Sequence, residues 1–298
     1  MLIDQSQRGH TIPTRMSRIS ILSLLPKESL MHTKRPRSAP LLCALLCFAV
    51  AVAWCGSCHV SAHGETPSHW YCPRAKNHAQ PHFGGDLSVV ESYGGYYIDH
   101  AHANPNDTDK VVYLTFDAGY ENGHVSQILD TLKTHDTPAA FFILGHLCEA
   151  CPDLVRRMAD EGHLVCNHTY THKNMTCAPQ GELTVELTRL ERACQSIGVT
   201  LSHYFRPPEG TFDRPMLQEA QSCGYQTIFW SFAYADWDNK KQPDPTWAKE
   251  KILSNIHNGA VILLHPTSAT NAQILGDVIC SLKSQGYRFG TLDELTGG

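Results

Sequence analysis

Apolar and polar positions change rhythm near Lys110, and the change divides the chain. From there to the C-terminus, short apolar runs alternate with stretches whose apolar residues recur every three or four positions. Residues 111–116, 139–144, 163–167, 203–206, 225–231, 260–264 and 287–290 read as strands. The clearest helix covers 179–197, with Leu183, Leu187, Leu190, Cys194 and Ile197 on one stripe and Glu182, Glu186, Arg189 and Arg192 elsewhere. Strand–helix alternation repeated about seven times implies an α/β fold with parallel strands and helices outside them. A closed or nearly closed barrel suits this better than an open sheet, a choice that periodicity alone does not make. No repeat is visible. Residues 64–109, rich in Pro, His, Asn and Gly, show little periodicity and read as an irregular extension.

The N-terminal stretch has another character. Met31 precedes a basic cluster (Lys34, Arg35, Arg37), and an apolar run from Leu41 to Trp54 follows. Small residues then lead to Val60-Ser61-Ala62, a site suited to signal cleavage. The apolar run is shorter than the roughly 20 residues that a spanning helix needs, with an uncleaved anchor as the alternative reading. Either way the expectation is export, secreted or membrane-anchored. Residues 1–30 are out of place before a signal peptide, which makes Met16 and Met31 alternative starts. The expected organisation is a leader at 1–62, an extension at 63–109 and a catalytic domain at 110–298.

Without residues 1–62, the chain carries 17 Lys and Arg against 27 Asp and Glu, a formal charge of −10. An acidic chain lacks the basic footprint of nucleic-acid binding. Eight cysteines follow the leader, so export permits disulfides, but 105 pairings are open and the sequence selects none. Cys148-x-x-Cys151 has redox spacing, yet no second such pair completes a zinc site, and it reads as structural.

In parallel barrels, chemistry gathers at the C-terminal ends of the strands. Here those ends carry Asp117, Asn167-His168 with His172, Arg206 through Gly210, Asp236-Trp237 and His265. Singly each has a plain explanation. Asp117 could cap a helix, HxxxH is common among 18 histidines, and His265 could be a core residue. Together they supply what amide hydrolysis needs: a carboxylate to deprotonate water, a cation or metal to polarise the carbonyl, and an imidazolium to protonate the leaving amine. An arginine beside Asp117 would lower its pKa and a carboxylate beside His265 would raise that of the histidine, separating base from acid.

At these residues the chain resembles the polysaccharide deacetylases (carbohydrate esterase family four, the NodB-like domain), from about Lys110 to the C-terminus. Five motifs match in order. Thr115-Phe116-Asp117-Ala118 resembles the first, which implies Asp117 as general base. His168-Thr169-Tyr170-Thr171-His172 resembles the second, which implies His168 and His172 as metal ligands and places Tyr170 against substrate. Arg206-Pro207-Pro208-Glu209-Gly210 resembles the third, whose arginine positions the base and whose backbone N–H, here that of Glu209, faces the oxyanion. Asp236-Trp237 resembles the fourth, which supports the acid and lines the groove with Trp237. Leu264-His265 resembles the fifth, which implies His265 as general acid. The resemblance also implies a distorted (β/α) barrel. In one departure, Ala118 stands where the family carries its third metal ligand, an Asp. A divalent ion, zinc or similar, is then expected to be held weakly by two imidazoles and water.

The stretch Thr115 to Gly123, His69-Trp70-Tyr71 with Asn77-His78, and Asn271-Ala272 after His265 resemble the subgroup that deacetylates muramic acid on the way to the δ-lactam of spore-cortex peptidoglycan. That resemblance implies a folded extension and a peptidoglycan substrate with a lactyl carboxylate, for which Arg206 and Lys173 are the expected cations. Chitin-type N-acetylglucosamine polymer is the alternative substrate, and a catalytically inactive carbohydrate-binding relative the alternative class.

Overall fold

The computed structural model describes residues 66–104 and 107–297. The leader expected at 1–62 lies outside the described residues. The described strands are β1 (Ser68–His69), β2 (Lys110–Ala118), β3 (Ala140–Ile143), β4 (Leu164–Asn167), β5 (Tyr204–Phe205), β6 (Thr211–Phe212), β7 (Gln226–Thr227), β8 (Ala260–Leu264) and β9 (Tyr287–Gly290). The described helices are α1 (His124–Thr134), α2 (Gly145–Ala150), α3 (Pro152–Asp160), α4 (Glu182–Ser196), α5 (Arg214–Ser222), α6 (Pro245–Asn255), α7 (Ala269–Ser284) and α8 (Leu292–Thr296). Side chains of Asp213, Asp244, Ser268 and Thr291 accept hydrogen bonds from first-turn amides and so fix where α5, α6, α7 and α8 begin. Among the described residues no helix is long and apolar enough to cross a membrane.

Seven strands form one parallel sheet, in the order β7-β5-β4-β3-β2-β8, with β9 also paired to β2. The long β2 makes this arrangement work. Residues 112–116 pair with β8, while on the other edge residues 110–113 pair with β9 and residues 115–118 with β3. Single bridges span the gap between the sheet's ends: Phe232 to Ile262, Tyr96 to Ile228 and Ile98 to Ala260. The sheet is thus curled into the distorted barrel that the alternation implied.

Along β2 the side chains alternate between two apolar layers. Val112, Leu114, Phe116 and Ala118 pack with Ile128, Leu129 and Leu132 of α1 and with Val278 and Ile279 of α7. Val111 and Tyr113 face the barrel interior with Phe142 and Val261. Asp117 follows the interior parity and so emerges at the rim.

Two predicted strands shrink, to Tyr204–Phe205 and Gln226–Thr227. The first ends where Arg206 turns inward ahead of Pro207 and Pro208, which have no N–H to donate. After Thr227 the chain changes partners residue by residue: Phe229 donates to Tyr96 O and Ser231 to Val261 O. The predicted helix at 179–197 starts three residues late, after Gly181 at φ 88°.

The extension is irregular but packed. It contains a 3-10 helix, Gly85–Tyr93, and β1 pairs antiparallel with β6. Its Trp70 lies against Phe83 and Phe229, with ring centroids 5.1 and 4.3 Å apart. All eight described cysteines are free. Cys148 faces Cys194, with sulfurs 3.7 Å apart, inside the layer between sheet and helices.

Candidate active site

Arg206 organises the rim. Its side chain is fully buried, and each of its three nitrogens donates a hydrogen bond. Nε donates to Ile228 O at 3.0 Å, Nη1 to Asp117 Oδ1 at 2.7 Å and Nη2 to Thr115 Oγ1 at 2.9 Å. The guanidinium also lies 4.1 Å from the centroid of Phe142, a cation–π contact. Burial pushes the Asp117 pKa up, but the charge and hydrogen bond of Arg206, together with the nearby His168 and His265, outweigh it and hold the carboxyl below the usual range. Asp117 is therefore ionised, with its second oxygen toward the cavity.

That oxygen, Oδ2, is 3.5 Å from Nε2 of buried His168. The Nδ1 of His168 lies 2.7 Å from the Arg206 carbonyl oxygen and burial lowers its pKa to about 4. The ring is neutral, so Nδ1 carries the hydrogen and Nε2 keeps a free lone pair, the form a metal ligand needs. His172 stands beside it, with ring centroids 5.0 Å apart. The loop between them is built by side chains: Asn167 Oδ1 accepts from Thr169 N, Thr169 Oγ1 from His172 N, and Glu186 Oε2 from both N and Oγ1 of Thr171. Thr169 at φ 69° and His172 at φ 58° occupy the left-handed region, a conformation that costs about 1–2 kcal/mol in a non-glycine residue. Glu209 at φ 59° does the same in the third motif. Gly210 continues that turn at φ 65°, where a Cβ would sit 2.7 Å from Trp230 and 3.0 Å from Trp70 Cβ.

Across the cavity, His265 Nδ1 is 2.7 Å from Asp236 Oδ1. The other Asp236 oxygen accepts from His265 N at 2.8 Å and from Asn271 Nδ2 at 2.6 Å. Tyr234 in turn donates to Asn271 Oδ1. Nδ1 is thus committed to Asp236, and Nε2 is left to exchange a proton. Burial pulls the His265 pKa down, but the hydrogen bond and charge of Asp236 outweigh it and leave it raised. The protonated acid form then persists above an ordinary histidine's range and is lost as pH rises through the raised pKa. Asp236→Asn is expected to move the alkaline limb of kcat/KM to lower pH, read on the residual activity. An unmoved limb would mean that another group sets it.

Asp117, His168, His172, Glu209, Trp237 and His265 line one cavity of about 980 Å³. Trp237 is 63% exposed, available as a stacking surface. Arg206 and Asp236 act from behind the wall. Two expected residues are elsewhere. Tyr170 points away, its hydroxyl bonded to Glu149 and its ring 3.7 Å from the guanidinium carbon of Arg189. Placing it against substrate is corrected: the left-handed turn at Thr169 sends its ring toward α2, against Gly145. Lys173 pairs with Glu182 at 2.9 Å, outside the cavity, and Arg206 is too deep and too fully bonded to meet a ligand. Neither takes the place expected of it beside a lactyl carboxylate. Sequence reasoning missed the positioning roles of Thr115, Glu186, Tyr234 and Asn271. Thr115 and Asn271 had a signal, the first as the opening residue of the first motif and the second by its place in the first turn of the helix after His265.

Ala118 is fully buried in the apolar layer. Among the described residues no cluster of three or more His, Cys, Asp or Glu side chains could hold an ion. His168 and His172 remain as two nitrogen donors.

A curled parallel sheet thus carries at its rim an arginine-held carboxylate and an aspartate-held histidine, the two groups that acid–base hydrolysis needs. Residues 104–228 match the family model described as polysaccharide deacetylase. The chain is 38% identical over 256 residues to the peptidoglycan-N-acetylmuramic acid deacetylase PdaA of Bacillus subtilis (strain 168), covering 85% of this chain and 95% of that one. The solved structure of Bacillus subtilis PdaA, a family 4 carbohydrate esterase, superposes with a TM-score of 0.72 over 78% of this chain and 97% of the other. A peptidoglycan-N-acetylglucosamine deacetylase, PgdA of Listeria monocytogenes serotype 1/2a (strain 10403S), is 34% identical over 190 residues, 64% of this chain and 40% of that one. The chain belongs to the polysaccharide deacetylase family.

Proposed function

We propose that the protein removes the N-acetyl group of N-acetylmuramic acid in peptidoglycan glycan strands, a step toward the muramic δ-lactam of spore cortex. The observation that carries this reading is the reach of the similarity to the Bacillus subtilis enzyme. Covering 85% of the chain, it is too long for the barrel alone and takes in the extension. That extension walls the cavity with Cys72, Pro73, Arg74, Ala75 and Pro81. The match to the N-acetylglucosamine deacetylase spans 190 residues, about the length of the barrel domain.

In the proposed reaction Asp117 takes a proton from water as the oxygen attacks the acetamide carbonyl. The Glu209 N–H meets the developing oxyanion. His265 then delivers the proton at Nε2 to nitrogen as the C–N bond breaks, leaving acetate and a free amine. His168 and His172 would hold a divalent ion such as zinc, weakly since Ala118 offers no oxygen. Such an ion polarises a carbonyl when bound. The leader read at 1–62 would place the enzyme outside the cytoplasmic membrane, where its substrate lies. A freed 2-amino group beside an unsubstituted lactyl carboxylate can close to a six-membered lactam, whereas a stem peptide ties that carboxylate up as an amide. Acetate release from peptide-free peptidoglycan glycan, against release from chitooligosaccharide, tests the reading. Release from the second alone would contradict it.

A further inference from the structure

We infer that Arg74 and Lys251 recognise the lactyl carboxylate of peptide-free muramic acid and so set the enzyme's choice of substrate. The inference rests on the muramic acid reading above and deepens it. The lactyl ether sits on the sugar carbon next to the one bearing the acetamide. Its carboxylate must therefore enter the same cavity as the bond that is cut. A carboxylate drawn out of water without a partner is costly, so a cation of that cavity should meet it.

Arg206 and Lys173 are already engaged. Among the described residues, the lysines and arginines that line the cavity are Arg74 and Lys251. Neither side chain makes an ion pair or hydrogen bond with a described residue. The carboxylates lining the cavity are Asp117, neutralised by Arg206, and Glu209. Two unpaired cations against one unpaired carboxylate leave the cavity suited to an anionic substrate, although the chain as a whole is acidic.

The positions are built. Upstream of Arg74, His69 pairs with Thr211, Trp70 N donates to Gly210 O at 2.9 Å and Trp70 Nε1 donates to Trp230 O at 2.7 Å. Downstream, His78 Nδ1 lies 2.6 Å from Ile256 O and Gln80 Nε2 donates to Asn258 O at 2.9 Å. The arm carrying Arg74 is therefore pinned between the Glu209–Gly210 turn and the segment that follows α6, the helix bearing Lys251. A guanidinium matches a carboxylate with two parallel donors, and an ammonium adds a point charge. A lactyl group joined to a stem peptide is a neutral amide and offers no such charge.

The test compares wild type with Arg74→Gln and Lys251→Gln in the full chain. Substrates are peptide-free peptidoglycan glycan and the same glycan with its lactyl carboxylates capped as methylamides. Each substitution is expected to lower kcat/KM about tenfold on the free-carboxylate glycan, chiefly through KM. On the capped glycan, wild type and variants should be alike. Wild-type rates for both variants on the free-carboxylate glycan, or equal losses on both glycans, would overturn the inference. Failure of the muramic acid reading looks different: wild type itself would release acetate only from N-acetylglucosamine residues, which overturns both.

Discussion

Asp117→Asn is expected to lower turnover by roughly 10²–10⁴-fold, the usual cost of losing a general base. The amide cannot accept the proton of water, yet its oxygen can still accept from Arg206 Nη1, now at 2.7 Å from the carboxylate. Asp117 is not an exposed rim residue, since its side chain is only 10% accessible. The substitution therefore leaves Arg206 with less compensation, and a lowered Tm should accompany a folded protein. Circular dichroism with an acetate-release assay checks both. Near-normal turnover would remove Asp117 from the role of base.

Arg206→Ala should be the most damaging single change to stability. It strands the Asp117 carboxylate, leaves the Ile228 carbonyl without a donor and empties the space over Phe142. Breaking a buried pair from one side costs about 3–5 kcal/mol. Chemical denaturation should show that loss, and any folded fraction should be nearly inactive, with Asp117 no longer held below the ordinary carboxylate range. Arg206→Lys should recover only part of either property, since a single ammonium cannot reach Ile228 O, Asp117 and Thr115 together. Unchanged denaturation of Arg206→Ala would mean that the guanidinium is not the keystone of the rim.

Much of the fold was legible because parallel strands buried on both faces are apolar throughout. The runs at 111–116, 139–144, 163–167, 260–264 and 287–290 reappear as β2, β3, β4, β8 and β9. β5 and β7 were overdrawn because apolar patterning records burial, whereas strand assignment records who accepts each hydrogen bond. The chain near Phe229 is buried but changes partners at each step. The packing of the extension had no periodic signature. It is held by aromatic contacts such as Trp70 on Phe229 and by side-chain bonds such as Gln80 to Asn258, between residues far apart in sequence.

The site divides along the same line. Asp117, Arg206, Asp236 and His265 were readable because each ends or follows a strand, and the structure brings them together as two pairs. Tyr170 was misplaced because a motif fixes sequence spacing, while the left-handed turn at Thr169 fixes direction. Arg206 and Lys173, the cations expected to meet the substrate, lie within or beside the motifs in sequence, but one is buried behind the wall and the other pairs with Glu182. Arg74 and Lys251 come from an arm and a helix that only the folded chain brings to the same cavity.

Mass spectrometry of glycan digested after treatment with the pure enzyme tests the central claim most directly. Muramic acid residues lacking acetyl groups are expected in peptide-free strands, with muramic lactam appearing where ring closure follows. Acetyl loss confined to N-acetylglucosamine residues, with muramic acid intact, would contradict the muramic acid reading while leaving the family membership in place.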